Sequence, residues 1–369
     1  MHGSLGLSMA PRDGKEVHTV LRYADLAMSS AKQYGGGLRV HSPNSDLAAA
    51  SPSSLAADLR LALARGQVGI AVQPLVDLVS GKVCAAEALA RWRHPVLGPV
   101  DPETFVMAAE RSGLVGELTS VVLDQALAAC AAWRADGLVI GVAVNLVART
   151  LADPGLPALV AAALTRHGLE GEALTLELTE SGVVHSNENV LGVLEGLNQL
   201  GVRLAVDDFG TGYASMTYLS WLSPDRLKID KSFVASMHLD ERNAAIVRSI
   251  IDLAARLGID VVAEGITQPA VAEALVAMGC RVGQGYLYAE PMSPEELPAW
   301  ACRRSSSRAE LPVRARPGTS IPAKPFGMPS SLGPIAADGH RTPAPALSWV
   351  DEEPAATFAR AGRDVNERG

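Results

Sequence analysis

The sequence predicts an α/β protein built as a (β/α)8 barrel of the TIM type. Eight short β-rich runs alternate with helical stretches over roughly 250 residues, the length such a barrel needs. Run after run ends on a polar residue where the apolar stretch meets its loop. Hydrophobic residues make up 48% of the 369 and aromatics only 4%, so the core must be aliphatic. An open doubly wound sheet shares the alternation. The placement of the polar residues separates the two, because a closed barrel brings all its strand ends to one mouth.

The expected strands are 69–78, 82–92, 138–147, 173–180, 202–209, 226–230, 259–265 and 282–289. Each is a run rich in Val, Leu, Ile or Ala, bounded by turn residues. Helical patterns fill 119–136, 187–200, 240–257 and 269–278. In 240–257, Ile246, Ile250, Ile251 and Leu253 share one side at helical spacing. Asp240 is placed to cap its start and Gly258 to stop it.

Three zones divide the chain. Residues 1–50 are a short mixed segment ending in a linker-like run, "HSPNSDLAAASPSS", that extends to residue 54. Residues 51–302 form the regular body. Residues 303–369 contain nine prolines and no sustained periodicity, which predicts a disordered tail. A net charge of -8 argues against nucleic acid or an anionic membrane as partner, since both need a basic face. It leaves room for a small anionic ligand held through cations. Cys84, Cys130, Cys280 and Cys302 form no CxxC pair and are expected as buried thiols. The first residues lack an apolar signal segment, and the expected location is cytoplasmic.

The strand ends carry the chemistry. Asn145, Glu177, Glu180, Asp207, Asp208, Lys228, Asp230, Glu264 and Gln284 all fall near them. Any one acid reads most simply as a helix cap or loop residue. Five or more acids aimed at one mouth repel unless something cationic sits among them. Oxygen ligands without histidine favour Mg²⁺ or Mn²⁺. Two such ions, one carboxylate bridging them, suit in-line displacement at phosphorus. The adjacent acids of "LAVDDFGTGY" fit that demand, and Gly210 and Gly212 read as hinges of the loop beside them.

Eight stretches follow one another across about 57–300: "VQPLVD", "AEALARWRHP" with Glu87-Ala88-Leu89, "AVNL", "ELTES", "DDFGTGYASMTYL", "LKIDKSFV", "VVAEG" and "GQGYLYAEP". In these motifs and their order the chain resembles the EAL-domain cyclic-di-GMP phosphodiesterases. The resemblance implies a barrel with one early antiparallel strand. It implies hydrolysis of cyclic di-GMP to linear pGpG with two Mg²⁺ or Mn²⁺ ions. By position, Glu87, Asn145, Glu177 and Asp207 are implied for the first ion, and Asp207, Asp208 and Asp230 for the second. Lys228 and Glu264 are implied to address the attacking water, Glu264 partly through metal contact, with Gln284 in support. Gln73, Leu89 and Arg91 are implied to touch substrate, and Glu180 to anchor the 207–213 loop. A homodimer through the barrel is implied as well. Where the family often reads AEGVET, this chain reads "AEGITQ", so Thr267 stands in place of a glutamate. That departure leaves every implied metal ligand present, which favours the enzyme; the alternative is a catalytically weak or inactive cyclic-di-GMP receptor that signals by binding. Residues 3–41 resemble the final third of a GGDEF diguanylate cyclase domain without its signature.

Overall fold

The structure, a computed structural model, describes residues 4–13, 17, 19–21, 23, 24, 27, 28, 37–40, 52–179, 188–211, 219 and 222–306. Near the N-terminus, β1 (Ser4–Leu7) and β2 (Gly37–Val40) pair in parallel. Then α1 (Pro52–Ala64) leads into β3 (Val68–Asp77) and β4 (Val83–His94), and β5 (Gly98–Val100) folds back on β4. The chain continues through α2 (Pro102–Ser112), α3 (Val115–Ala135), β6 (Gly141–Leu146), α4 (Leu156–His167), β7 (Leu174–Thr179), α5 (Glu188–Gln199) and β8 (Arg203–Phe209). It ends with β9 (Arg226–Ile229), α6 (Lys231–Val234), α7 (Glu241–Leu257), β10 (Asp260–Ala263), α8 (Pro269–Ala277), β11 (Val282–Gly283) and α9 (Leu297–Ser306).

The sheet runs β3-β11-β10-β9-β8-β7-β6-β4, and β4 pairs with β3 to close it. Closure excludes the open doubly wound sheet. Only β3 runs against its barrel neighbours; it is antiparallel to both β4 and β11, and the other pairs are parallel. Parallel strands present their C-terminal ends at one mouth, and their loops build the site there.

The strands expected from sequence are present, but the last is shorter. Of 282–289, only Val282–Gly283 is strand. Beyond it the chain turns around the main chain of Ile266, accepting from its N–H at Gln284 and donating to its carbonyl from Leu287. Helix α7 is capped as expected: Asp240 accepts from the Arg242 N–H at 2.9 Å, and Gly258 is left-handed. Its buried stripe is Val247, Ile250, Ile251 and Ala254, however. The helix is rolled toward that flank, which leaves Leu253 half-buried and Ile246 exposed. Helix α9 runs to Ser306, past the expected boundary at 302, and residues 307–369 lie outside the described residues.

Two apolar sets hold the barrel. The larger lies between strands and helices and includes Val72, Ala86, Ala88, Val142, Val144, Leu127 and Val247. The smaller, Leu75, Ala85 and Val262 with Cys84 and Val282, fills the lumen below the mouth. Helix α3 is long and apolar enough to cross a membrane. Here it lies on the barrel: Gln125 donates to the Val68 carbonyl at 2.8 Å, and the Trp133 indole donates to that of Pro294 at 2.8 Å. The four cysteines are free thiols; Cys130 and Cys280 are buried, Cys84 is half-buried, and Cys302 is exposed, contrary to expectation. Cys302 lies on the solvent side of α9, whose buried face is formed by Leu297 and Ala301.

Candidate metal centre at the barrel mouth

Side chains alternate along a strand, so one polar residue per strand can face the lumen at a given height. Eight do: Gln73 on β3, Glu87 on β4, Asn145 on β6, Glu177 on β7, Asp207 on β8, Lys228 on β9, and Glu264 and Gln284 just past β10 and β11. Register confirms the neighbours: Gln73 opposes Glu87, and Asn145 opposes Glu177.

Lys228 is the hub, at 1% exposure. Its ammonium lies 2.7 Å from Glu264 Oε1, 2.9 Å from Glu177 Oε2, 3.1 Å from Asp207 Oδ1 and 3.6 Å from Glu87 Oε1. It is thus a charge centre shared by four acids. Burial lowers the Lys228 pKa, but Glu177, Glu264, Glu87 and Asp207 together carry it well above the ordinary lysine value. Burial raises Glu177 well above the carboxylate range against the pull of Lys228, with Glu87 and Asp207 adding to the rise. Burial likewise pushes Glu264 up to about 7, opposed by Lys228. Glu87 ends below its ordinary value: burial raises it, but Lys228 and hydrogen bonds from Gln284 and Asn145 outweigh that.

An amide chain holds Glu87. Asn145 Nδ2 donates to Oε1 at 2.7 Å and Gln284 Nε2 to Oε2 at 2.7 Å. Gln284 Nε2 also donates to Gln73 Oε1 at 2.8 Å, and Gln73 Nε2 to the Ala289 carbonyl at 2.9 Å. Gln284 Oε1 is buried without a hydrogen-bond partner.

The adjacent acids Asp207 and Asp208 reach one mouth through a bulge. The β8–β9 register pairs Val206 with Leu227 and then Phe209 with Ile229, so β8 carries one extra residue. Asp208 takes that place at φ 54, a left-handed conformation that breaks the alternation of faces. The Asp208 N–H donates to Asp207 Oδ1 at 2.9 Å. Burial raises the Asp208 pKa to about 6, with Asp207 and Asp230 adding to the rise. The glycine that follows, Gly210, sits at φ 103 with Phe233 where a side chain would be.

Two carboxylate groups result. Ligand oxygens of Glu87, Glu177 and Asp207 lie within 4.8 Å of one another, as do those of Asp207, Asp208 and Glu264, and Asp207 belongs to both. An all-oxygen donor set with one shared carboxylate fits hard divalent cations. Asp230 is in neither group. Its Oδ1 accepts from the Ser232 N–H at 2.9 Å and from the Ser232 hydroxyl, capping α6. Burial raises Asp230, but the Ser232 bonds outweigh it and hold the carboxyl low. Ser232 was not among the expected residues; the "IDKS" spacing of a capping Asp two residues before a serine is its only signal.

Leu89 and Arg91 follow Glu87 at alternate positions on the same face of β4, both half-buried at the rim. Arg91 Nη1 donates to the Ala90 carbonyl at 2.9 Å. Glu180, Gly212 and Tyr213 lie outside the described residues. His94, whose Pro-Gly sequence context suggests a loop, instead closes β4, paired with Gly98, and is buried. Its Nδ1 accepts from the Val96 and Leu97 N–H groups at 3.1 and 3.0 Å, and its Nε2 faces Asp58 at 3.3 Å.

A closed barrel with one reversed strand and an acidic, lysine-centred mouth defines a class of α/β barrels whose carboxylates could hold a cation. Within that class, the EAL domain family matches residues 56–291, and the chain belongs to it. Among curated relatives, the bifunctional diguanylate cyclase/cyclic di-GMP phosphodiesterase MucR of Pseudomonas aeruginosa is 39% identical over 296 residues, 80% of this chain and 43% of MucR. The cyclic di-GMP phosphodiesterase NbdA of the same organism is 36% identical over 297 residues, 79% of this chain and 38% of NbdA. The chain therefore spans about two fifths of the length of these relatives. A solved structure of the PaMucR phosphodiesterase in complex with c-di-GMP superposes with a TM-score of 0.62 at 40% identity, covering 66% of this chain and 99% of that one. The EAL domain of Mycobacterium smegmatis DcpA gives 0.55 at 34% identity, covering 64% of this chain and 97% of that one.

Proposed function

We propose that the chain hydrolyses one phosphodiester bond of cyclic di-GMP to give linear pGpG, using two Mg²⁺ or Mn²⁺ ions. The observation that carries this reading is the pair of carboxylate groups sharing Asp207. Glu87, Asn145, Glu177 and Asp207 hold one ion; Asp207, Asp208 and Asp230 hold the other, with Glu264 in contact. Bound there, the ions supply Lewis acidity, neutralising phosphate charge and acidifying water. Glu264 and Lys228, paired at 2.7 Å, orient the attacking water. Gln284 holds Glu87 in place and presents Oε1 to a bound donor. Gln73, Leu89 and Arg91 contact the nucleotide along the β3–β4 side, and Glu180 anchors the loop after β8. The names of MucR and NbdA and the ligand in the PaMucR structure support cyclic di-GMP as substrate.

Residues 3–41 are read as the end of a cyclase-type domain; the parallel β1–β2 pair, which requires a crossover between its strands, supports this. Pairing of two chains through the barrel is tested by sedimentation. One observation favours a second reading, a receptor that binds cyclic di-GMP without cleaving it: exposed Thr267 stands where the family often has glutamate. Incubation of purified protein with cyclic di-GMP and Mg²⁺ or Mn²⁺, followed by chromatography, decides. A pGpG peak supports hydrolysis. Bound but uncleaved ligand supports the receptor.

A further inference from the structure

Gln284 is flanked by glycines, and one residue occupies the space beside both. A Cβ on Gly283 would lie 2.5 Å from Ile266 Cδ1 and 2.8 Å from Leu78 Cδ2. A Cβ on Gly285 would lie 2.1 Å from the Ile266 carbonyl oxygen and 2.3 Å from its nitrogen. Ile266 is fully buried. Its N–H donates to the Gln284 carbonyl at 3.0 Å, and its carbonyl accepts from the Leu287 N–H at 2.9 Å. On the other side, the Gln284 N–H donates to the Ala263 carbonyl at 2.9 Å. The main chain of Gln284 is therefore pinned by β10 and by the residue two places past Glu264.

We propose that Ile266 is a positioning residue that sets the Gln284 carboxamide and, through it, the Glu87 carboxylate. The inference rests on the cation site described above but not on turnover. Gln284 Nε2 directs its hydrogens to Gln73 Oε1 and Glu87 Oε2, which leaves Oε1 buried without a partner. Gln284 supplies one of the two amide bonds to Glu87, so a displaced main chain at Gln284 lengthens and misaligns that bond and leaves Asn145 to hold the carboxylate alone. The Gly-Gln-Gly sequence fits this packing: the Ile266 and Leu78 side chains need the first glycine bare, and the Ile266 main chain needs the second.

The two glycines therefore differ in what relieves a mutation. Four variants of the full-length chain test this: Gly283→Ala and Gly285→Ala, each alone and combined with Ile266→Val. That change removes Cδ1 and keeps the main chain. Mn²⁺ affinity is read by calorimetry without substrate, beside melting temperature and the kcat and KM for cyclic di-GMP. Gly283→Ala is expected to weaken Mn²⁺ binding by about tenfold, the size of a lost outer partner of a metal ligand. Ile266→Val restores part of it, since Leu78 still crowds the new methyl group. Gly285→Ala loses at least as much, and Ile266→Val does not restore it, because the obstructing atoms are backbone. Wild-type affinity in Gly283→Ala, or no relief by Ile266→Val, overturns the proposal. So does relief of Gly285→Ala. If Gly285→Ala fails to fold, the Gly283 pair decides alone. If wild type binds Mn²⁺ but yields no pGpG, hydrolysis fails and the calorimetry still judges Ile266.

Discussion

The mouth and the floor of this barrel lie two residues apart on the same eight strands, yet they are built oppositely. At the mouth, every strand contributes a polar side chain, and Lys228 binds four acids. One layer below, Leu75, Ala85, Ala143, Ala205 and Val262 are buried and apolar. The floor has polar members too, with Arg226 Nη1 donating to Thr175 Oγ1 at 3.4 Å. Burying like charges together costs stability, whereas burying apolar groups gains it. The floor is thus where the lumen contributes to holding the barrel closed, and the mouth is where that stability is used to keep carboxylates crowded.

The sharpest way to break this division is to mutate each layer and ask which property falls. Glu87→Ala removes a proposed cation ligand at the mouth, a carboxylate held by two amides and 3.6 Å from the Lys228 ammonium. Hydrolysis should fall by orders of magnitude while circular dichroism and melting stay near wild type. Full turnover at matched metal would remove Glu87 from the site.

Next in size is Lys228→Met. It deletes the one ammonium among the four acids and leaves buried charge without compensation, a loss of roughly 3–5 kcal/mol in metal-free protein. Chemical denaturation in EDTA measures it, and saturating Mn²⁺ should recover part of the loss. Equal stability with and without the lysine would mean the acids are already protonated.

At the floor, Leu75→Ala should cost about 2–5 kcal/mol by opening a cavity. Turnover per folded molecule should stay near wild type. A large fall in kcat with little loss of stability would erase the distinction between layers.

The smallest effect is on pH. Asp208 is raised to about 6 and Glu264 to about 7. Both lie above the unfolded values near 4, so the folded state holds protons that the unfolded state has released. Glu177, also raised, acts in the same direction, so metal-free stability should decline as pH rises from about 4 to 7. Glu87 and Asp230, held low, act in the opposite direction at the acid end only. A rise in metal-free stability across that window, read by thermal melts, would contradict the crowding of charge.

Much of this comparison was legible in the sequence. Alternation and strand ends gave the barrel, and the residues at those ends are the mouth. Four features were not legible. The bulge that turns Asp208 toward Asp207 depends on a left-handed residue that any Asp-Asp pair conceals. Lys228 as the centre of four acids depends on distances between strands far apart in the chain. The roll of α7 that buries Val247 and exposes Ile246 is set by packing against the barrel, which helical spacing alone leaves free by one residue. In 282–289 the β-rich composition concealed a turn imposed by contact with Ile266.

The central claim is that the crowded mouth is a two-cation site bridged by Asp207. Calorimetric titration of Mn²⁺ into metal-free protein tests it directly, comparing wild type with Asp207→Asn and Asp208→Asn. The account predicts two ions per chain in wild type, weakening of both by Asp207→Asn, and weakening mainly of one by Asp208→Asn. A single ion in wild type, or two ions bound unchanged in Asp207→Asn, would contradict it.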